Sequence, residues 1–163
     1  MAYDVQAWSD LFVACAGAAA ALTGLVFVAV SINIERILAL PGVPERALQT
    51  LLVLLTVVIV SVFGLAPGQS DTAFGIELIV VGVAATVAVM RLGRSKAYKG
   101  DRSDAELAAR LGVLAAGTMP AVTAGISLLA GGGGGLYWLL GGIVAAIVGG
   151  VVNAWVLLVE ILR

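Results

Sequence analysis

The sequence contains no histidine, a single cysteine and few charged residues. Histidine is the usual ligand for zinc, copper and haem iron and the usual proton carrier near neutral pH, so its absence argues against a zinc or redox enzyme. Cys15 has no second cysteine to pair with, which excludes an internal disulfide. Charged residues make up 12% of the chain, against about a quarter in soluble domains.

Long apolar runs dominate the chain instead. Hydrophobic residues account for 61% of the 163 residues, and the mean hydropathy is +1.12. A helix needs about 20 apolar residues to cross the hydrocarbon layer, where only helices and closed barrels satisfy the backbone. We therefore predict an all-α, polytopic membrane protein. Residues 1–163 form a single membrane domain, because the length leaves no room for a soluble catalytic domain.

Charges, prolines and glycines divide the chain into five predicted transmembrane helices. Glu77 makes the third helix the least apolar, and Ser103 and Glu106 have the spacing of a capping box at the start of the fourth. The uncharged stretch 111–159 is about twice as long as one crossing. Five consecutive glycines at 131–135 interrupt it, since each costs about 1 kcal/mol in a helix. The predicted helices cover residues 11–34, 47–66, 72–92, 104–130 and 136–161.

All the basic residues fall on one side of a five-span topology. Positively charged loops stay in the cytoplasm, which predicts a protein of the cell inner (plasma) membrane with its N-terminus outside and its C-terminus in the cytoplasm. The first ten residues carry two acids and no base, so the first helix is predicted to be a retained span rather than a cleaved signal. The basic residues are Arg36, Arg46, Arg91, Arg94, Lys96, Lys99, Arg102, Arg110 and Arg163.

Small residues recur at every fourth position in three of the predicted helices. This spacing lets two helix backbones approach closely in lipid. The rows either pack the five helices of one subunit or contact a neighbouring copy, and we expect a homo-oligomer. The fifth helix has two rows, Gly141, Ala145, Gly149 and Asn153 beside Gly142, Ala146, Gly150 and Ala154; the fourth has Gly117, Ala121 and Gly125; the first has Gly17, Ala20, Ala21 and Gly24.

Pro120 lies within the predicted fourth helix. A proline there removes one backbone hydrogen bond and should kink the helix, as a static bend or as a hinge. Thr118 and Thr123 are close enough in sequence to help satisfy the freed carbonyl groups.

Polar side chains are few in the predicted spans, and they fall at two depths. Glu77, toward the outside, is the ionisable side chain placed most clearly within a span; it either lies at the headgroup boundary or binds a cation or proton in the interior. Toward the inside, the amides of Asn153 and Asn33 either form interhelical hydrogen bonds or line a polar vestibule. The other walls of such a vestibule would be Ser31, Gln49 and Thr50.

The segment 91–110 carries six of the nine basic residues. It serves either as the topology determinant or as a docking loop for anionic lipid or a protein partner, through Arg91, Arg94, Lys96, Lys99 and Arg102. The sequence shows no nucleophile with a base nearby, no paired intramembrane carboxylates and no phosphate-binding loop. We therefore expect no enzyme activity, no cofactor, no metal site and no nucleic-acid partner.

Three stretches carry a resemblance to a known group of proteins: TGLVFVAVSINIERIL, PGVPERALQTLL and FGLAPGQ, within residues 12–69. There the chain resembles an uncharacterised family of small bacterial multi-pass integral membrane proteins, some of which are labelled as modulators of a membrane-anchored AAA protease. The resemblance implies a multi-pass membrane protein and assigns no catalytic or binding residue.

Two functional hypotheses follow from the sequence. The first is a homo-oligomeric, channel-like conduit for an ion or small solute, in which the dry region between two polar layers acts as a hydrophobic gate. The second is a non-catalytic accessory or regulatory membrane subunit that docks a partner through the basic cytoplasmic loop. The lack of catalytic groups disfavours a lipid-modifying enzyme.

Overall fold

The computed structural model describes residues 2–94 and 104–162, with side chains described for 2–94, 112, 115–155 and 159. Every regular element in this part of the chain is a helix, which confirms the all-α prediction. A short 3-10 turn at Val5–Trp8 precedes the helices. These are α1 (Ser9–Ile32), α2 (Ile34–Ala39), α3 (Val43–Gly64), α4 (Asp71–Gly93), α5 (Asp104–Ala130) and α6 (Tyr137–Leu162).

The largest differences from the predicted limits lie between the first two long helices. α1 ends at Ile32 because the backbone of Asn33 leaves helical geometry. The side-chain amide of Asn33 donates to the Ala29 carbonyl at 3.0 Å. α3 begins at Val43, four residues before the predicted start at 47, after Gly42 reverses the chain with φ of 80°. The predicted helix limits had been placed next to charged residues. These limits are inexact because charged residues can lie within the first or last turn of a helix. The short helix α2 lies in a segment predicted to be a loop.

α3 is the central helix of the bundle. In its apolar window 56% of residues are buried, compared with 22–28% in the three other helices of comparable apolar length. α3 packs against α1, α4 and α6, while α4 packs on α5 and α5 on α6. The helices α3 to α6 thus form a closed ring of four, and α1 lies outside it against α3 and α6.

The described helices are long and apolar enough for a membrane protein. Four apolar stretches could span a bilayer: Val5–Ile32, Val43–Gly64, Asp71–Gly93 and Tyr137–Trp155. In α5 the apolar part among the described residues is shorter, Ala115–Ala130. Large apolar side chains are widely exposed on the outer faces, for example Leu25 at 68% and Val80 at 62%. Such a surface is rare on soluble monomers and suits contact with lipid.

One end of the bundle, here called the glycine-loop end, is closed by the N-terminal segment. The Leu136 amide donates to the Ala2 carbonyl at 2.9 Å, and the Val5 amide donates to the Asp71 carboxylate at 3.2 Å. These contacts tie the N-terminus to the starts of α4 and α6. Positive φ angles at four of the five loop glycines, those at 131, 133, 134 and 135, explain why this turn requires glycine.

The opposite end, here called the arginine end, contains the connection from α1 to α3 and the C-terminal end of α4. Among the residues with described side chains, its arginines are Arg36, Arg46, Arg91 and Arg94. The glycine-loop end has neither arginine nor lysine among its described residues. The asymmetry of charge along the sequence therefore corresponds to two opposite ends of one bundle.

Glycines on α4 and α5 bring these two helices very close together. A Cβ atom added to Gly125 would lie 2.5 Å from the Gly75 carbonyl oxygen, and one added to Gly82 would lie 2.7 Å from Val122. The small-residue row predicted on the fourth span, which is α5, thus packs within one subunit. In lipid, close van der Waals approach of this kind drives helix association, because burying apolar surface gains little there.

We predict that Gly125→Ala destabilises the bundle by about 1–3 kcal/mol, because the new methyl group must push α4 and α5 apart. The matched control is Gly17→Ala on α1, where a Cβ atom would meet nothing within 4 Å. This control should leave stability unchanged or raise it slightly, since alanine favours a helix over glycine. Reversible unfolding in mixed detergent micelles measures both variants, and equal losses would contradict the prediction.

Candidate functional site

Three of the predicted polar residues meet near the arginine end and join α3, α4 and α6. Gln49 on α3 donates from Nε2 to the Val89 carbonyl of α4 at 2.9 Å. On the adjacent face of α3, the Thr50 hydroxyl accepts a short hydrogen bond from Nδ2 of Asn153 on α6. The same Asn153 amide lies 3.4 Å from the Arg46 carbonyl, to which Thr50 donates at 2.9 Å. We call Gln49, Thr50 and Asn153 the inner polar layer.

Burial makes these hydrogen bonds important for the arrangement of the helices. Gln49 is fully buried and Thr50 is 1% exposed. A buried amide or hydroxyl that loses its partner costs about 1–3 kcal/mol. Any sliding or rotation of α6 along α3 would separate Asn153 from Thr50, so the layer fixes the register of these two helices.

A second polar contact joins α4 and α5 deeper in the bundle. The hydroxyl groups of Thr86 and Thr118 lie 2.8 Å apart and share a hydrogen bond, and Thr118 is fully buried. The sequence placed Thr118 near the proline kink and gave no sign that Thr86 faces it. Thr123, the other threonine expected to assist the kink, donates to the Met119 carbonyl at 3.2 Å.

Ser31 and Asn33 do not join the inner polar layer. The Ser31 hydroxyl donates to the Phe27 carbonyl at 2.8 Å, and the Asn33 amide to the Ala29 carbonyl at 3.0 Å. Both acceptors lie four residues earlier in the same helix. Ser31 is exposed on the outer side of α1, so these two residues and the inner polar layer do not line one common vestibule.

Glu77 lies close to the glycine-loop end of α4. Its carboxylate accepts a hydrogen bond of 2.5 Å from Nε2 of Gln69, in the turn between α3 and α4. Glu77 is about one and a half helical turns from the start of α4 at Asp71 and is partly buried. Among the described residues, no three Cys, Asp or Glu side chains approach closely enough to hold a metal ion. The role of Glu77, at the headgroup boundary or as an interior ion site, stays a prediction.

The two small-residue rows of α6 have different surroundings. Gly142, Ala146 and Gly150 face inward, and Cβ atoms added at Gly142 and Gly150 would lie 2.7 Å from Pro120 and 2.9 Å from Leu54. Gly141, in contrast, is exposed, and a Cβ atom added there would meet nothing within 4 Å.

A row of every fourth residue turns by about 40° at each step around a helix. The row that begins at Gly141 therefore starts on the outer face and passes Ala145 and Gly149, both half-buried, before reaching α3 at Asn153. Pro120 lies within the continuous helix α5, with its ring against Gly142.

Of the basic segment 91–110, the structure describes residues 91–94 and the backbone of 104–110, which forms the start of α5. Arg91, in the last turn of α4, and Arg94, which caps it, are both exposed. Lys96, Lys99 and Arg102 lie outside the described residues.

Two features of this region could not be read from the sequence. Gly75 and Gly82 lie seven residues apart on α4, which hides them from a search for spacings of four. Ser127 holds the glycine loop, because its hydroxyl accepts a hydrogen bond from the Gly135 amide at 2.8 Å and donates to the Gly132 carbonyl. Nothing in the sequence pattern indicates this role of Ser127.

We predict that Asn153→Leu and Thr50→Val each destabilise the protein and that their effects are not additive, because each removes the same interhelical bond. The coupling energy should be about 0.6–1.7 kcal/mol. The control pair is Asn153→Leu with Thr56→Val, since Thr56 donates to the Leu52 carbonyl of its own helix at 2.7 Å. Detergent unfolding of the single and double variants gives both cycles. Additive effects in the first cycle would show that the contact contributes nothing.

Comparison of the chain with protein-family models, with curated proteins and with solved structures finds no match in any of the three.

Proposed function

We propose that the chain is a five-span protein of the bacterial inner membrane, with its N-terminus outside and its C-terminus in the cytoplasm. The four long apolar helices support four of the spans. The uncharged part of α5, residues 111–130, is about 30 Å long, which matches the hydrocarbon thickness of roughly 30 Å. The arginines grouped at one end support the orientation, since basic loops remain in the cytoplasm.

Single cysteines introduced at Pro67 and Arg94 in a Cys15→Ser background test this orientation. Both positions are exposed, at the glycine-loop end and the arginine end respectively. A membrane-impermeant maleimide should label the cysteine at 67 in intact cells and the cysteine at 94 only after permeabilisation. Labelling of both positions in intact cells, or the reverse pattern, would contradict the topology.

For the activity itself, we propose a non-catalytic accessory or regulatory membrane subunit. The observation that carries this proposal is how the inner polar layer uses its hydrogen bonds. Gln49, Thr50 and Asn153 bond to neighbouring helices of the same chain, as Thr86 and Thr118 do deeper in the bundle. Side chains that line a conducting path must remain available to solvate the permeant. These side chains act instead as structural contacts.

The packing at one place between three of the helices agrees with the same proposal. A small void lies between α3, α5 and α6, and residues such as Val57, Gly117 and Ile143 line it. The centre of a water molecule could occupy about 10 Å³ of this void. This is at the lower limit for a single water molecule. Its lining is mostly apolar, and a solute path would need a wider row of connected spaces.

The partner surface that we propose is the basic segment at the end of α4. Arg91 and Arg94 are exposed and begin a run of basic residues in the sequence. Long cationic side chains at a membrane surface attract acidic surfaces over about 10 Å at moderate salt. The expected partner is therefore an acidic cytoplasmic surface of another membrane-associated protein.

The conduit hypothesis remains a second proposal, because one feature supports assembly of several copies. On α1 four small residues are exposed: Gly17, Ala20, Ala21 and Gly24. A Cβ atom added at Gly17 or Gly24 would meet nothing within 4 Å. A second copy could approach α1 closely there. Any conduit would then lie between copies.

Flux through liposomes that contain the purified protein separates the two proposals. For an accessory subunit, proton and potassium flux should equal that of empty liposomes, and Arg91→Gln with Arg94→Gln should reduce co-purification with the cellular partner. The matched control is Glu35→Gln, an exposed charge on α2. Flux above the empty-liposome level, together with a closed oligomer in native mass spectrometry, would contradict the accessory role and support the conduit.

A further inference from the structure

The helix α2 and its flanks leave four large apolar side chains uncovered at the arginine end. Ile32 is 76% exposed, Leu38 67%, Ile34 43% and Leu40 38%. Ile37 of α2 is 1% exposed and packs in a small cluster with Val43 and Ala47. The other apolar residues of α2, Ile34, Leu38 and Ala39, are exposed.

α2 is amphipathic in spite of its length. At 100° per residue, Ile34, Ile37 and Leu38 fall within a sector of about 100°. Glu35 and Arg36 lie on the opposite side, and both are exposed. An amphipathic segment of this kind lies in the plane of the membrane, with its apolar stripe at the acyl boundary and its charged face among the headgroups.

The apolar stripe of α2 continues the lipid-facing surface of the adjoining helices. Val28 and Ile32 on α1 are 53% and 76% exposed, and Leu48 on α3 is 45% exposed. The charges nearby favour one class of lipid. Among the residues whose side chains are described, this end carries four arginines and two acids, Glu35 and Glu45.

We propose that α2 lies in the headgroup region of the cytoplasmic leaflet, where Ile34 and Leu38 enter the acyl boundary and Arg36 binds the phosphate of an anionic phospholipid. This inference rests on the proposed membrane topology. It assigns α2 to a lipid surface, separately from the basic segment at the end of α4. Arginine suits this contact because its planar guanidinium group can bond two phosphate oxygens at once.

The test uses an environment-sensitive fluorophore on a single cysteine at Leu38 or Glu35, in a Cys15→Ser background. The protein is reconstituted in vesicles that contain nitroxide-labelled lipids. Nitroxides placed just below the headgroup should quench the probe at 38, and aqueous iodide should quench the probe at 35. If iodide reaches both probes equally and the nitroxides reach neither, the inference is wrong.

A third probe at Val28 distinguishes failure of this inference from failure of the membrane topology. Val28 is 53% exposed in the interior of α1, so nitroxides deep in the acyl region should quench a probe there if α1 spans the bilayer. Loss of quenching at 28 would overturn the topology. Quenching at 28 together with an aqueous probe at 38 would overturn only the placement of α2.

Lipid selectivity tests the role of Arg36. With the probe at 38, nitroxide-labelled phosphatidylglycerol should quench more strongly than labelled phosphatidylcholine at the same mole fraction. Arg36→Gln should reduce the apparent preference by up to about five-fold, and Glu35→Gln should preserve or increase it. Equal quenching by the two lipids in the wild-type background, or an unchanged preference in Arg36→Gln, would overturn the proposed anionic lipid contact.

Discussion

The backbone contact between α4 and α5 is the constraint on which the remaining packing depends. At Gly75, Gly82 and Gly125 the helices approach so closely that a single methyl group would not fit without movement. This distance brings the Thr86 and Thr118 hydroxyls within hydrogen-bond range and holds Pro120 against Gly142 of α6. α6 in turn contacts α3 at Gly150 and Leu54. The close approach of α4 and α5 therefore affects the position of every helix in the ring of four.

The polar contacts select one register between neighbouring helices, which van der Waals packing alone does not do. Small-residue faces allow two helices to slide by one turn with little change in contact area, whereas a hydrogen bond between particular side chains is lost by the same movement. Asn153 with Thr50, and Gln49 with the Val89 carbonyl, select one register for α6 and α4 against α3. The protein thus uses its few intramembrane polar groups for structure, which is the main reason for favouring an accessory role over a conduit.

The sequence predicted the helices well because the bilayer imposes a length and a polarity on each of them. It also placed Gln49, Thr50 and Asn153 at one depth, since depth follows from counting residues along each helix. Ser31 and Asn33 have a similar depth but face a different way. α1 is apolar on every side, so no periodicity in the sequence indicates which face meets α3. The α4 glycines were missed because their role depends on a neighbouring helix. The helix α2 was missed because its charged residues, Glu35 and Arg36, had suggested a loop.

The hydrogen bond from the Leu136 amide to the Ala2 carbonyl has a consequence for biosynthesis. It joins residues 134 positions apart, almost the full length of the chain. Ala2 cannot bond to Leu136 until the glycine turn has left the ribosome, whereas Asp71 and α3, the other partners of the N-terminal segment and α1, are made earlier. During translation α1 therefore has no contacts with α6, and the glycine-loop end closes as a late step of assembly.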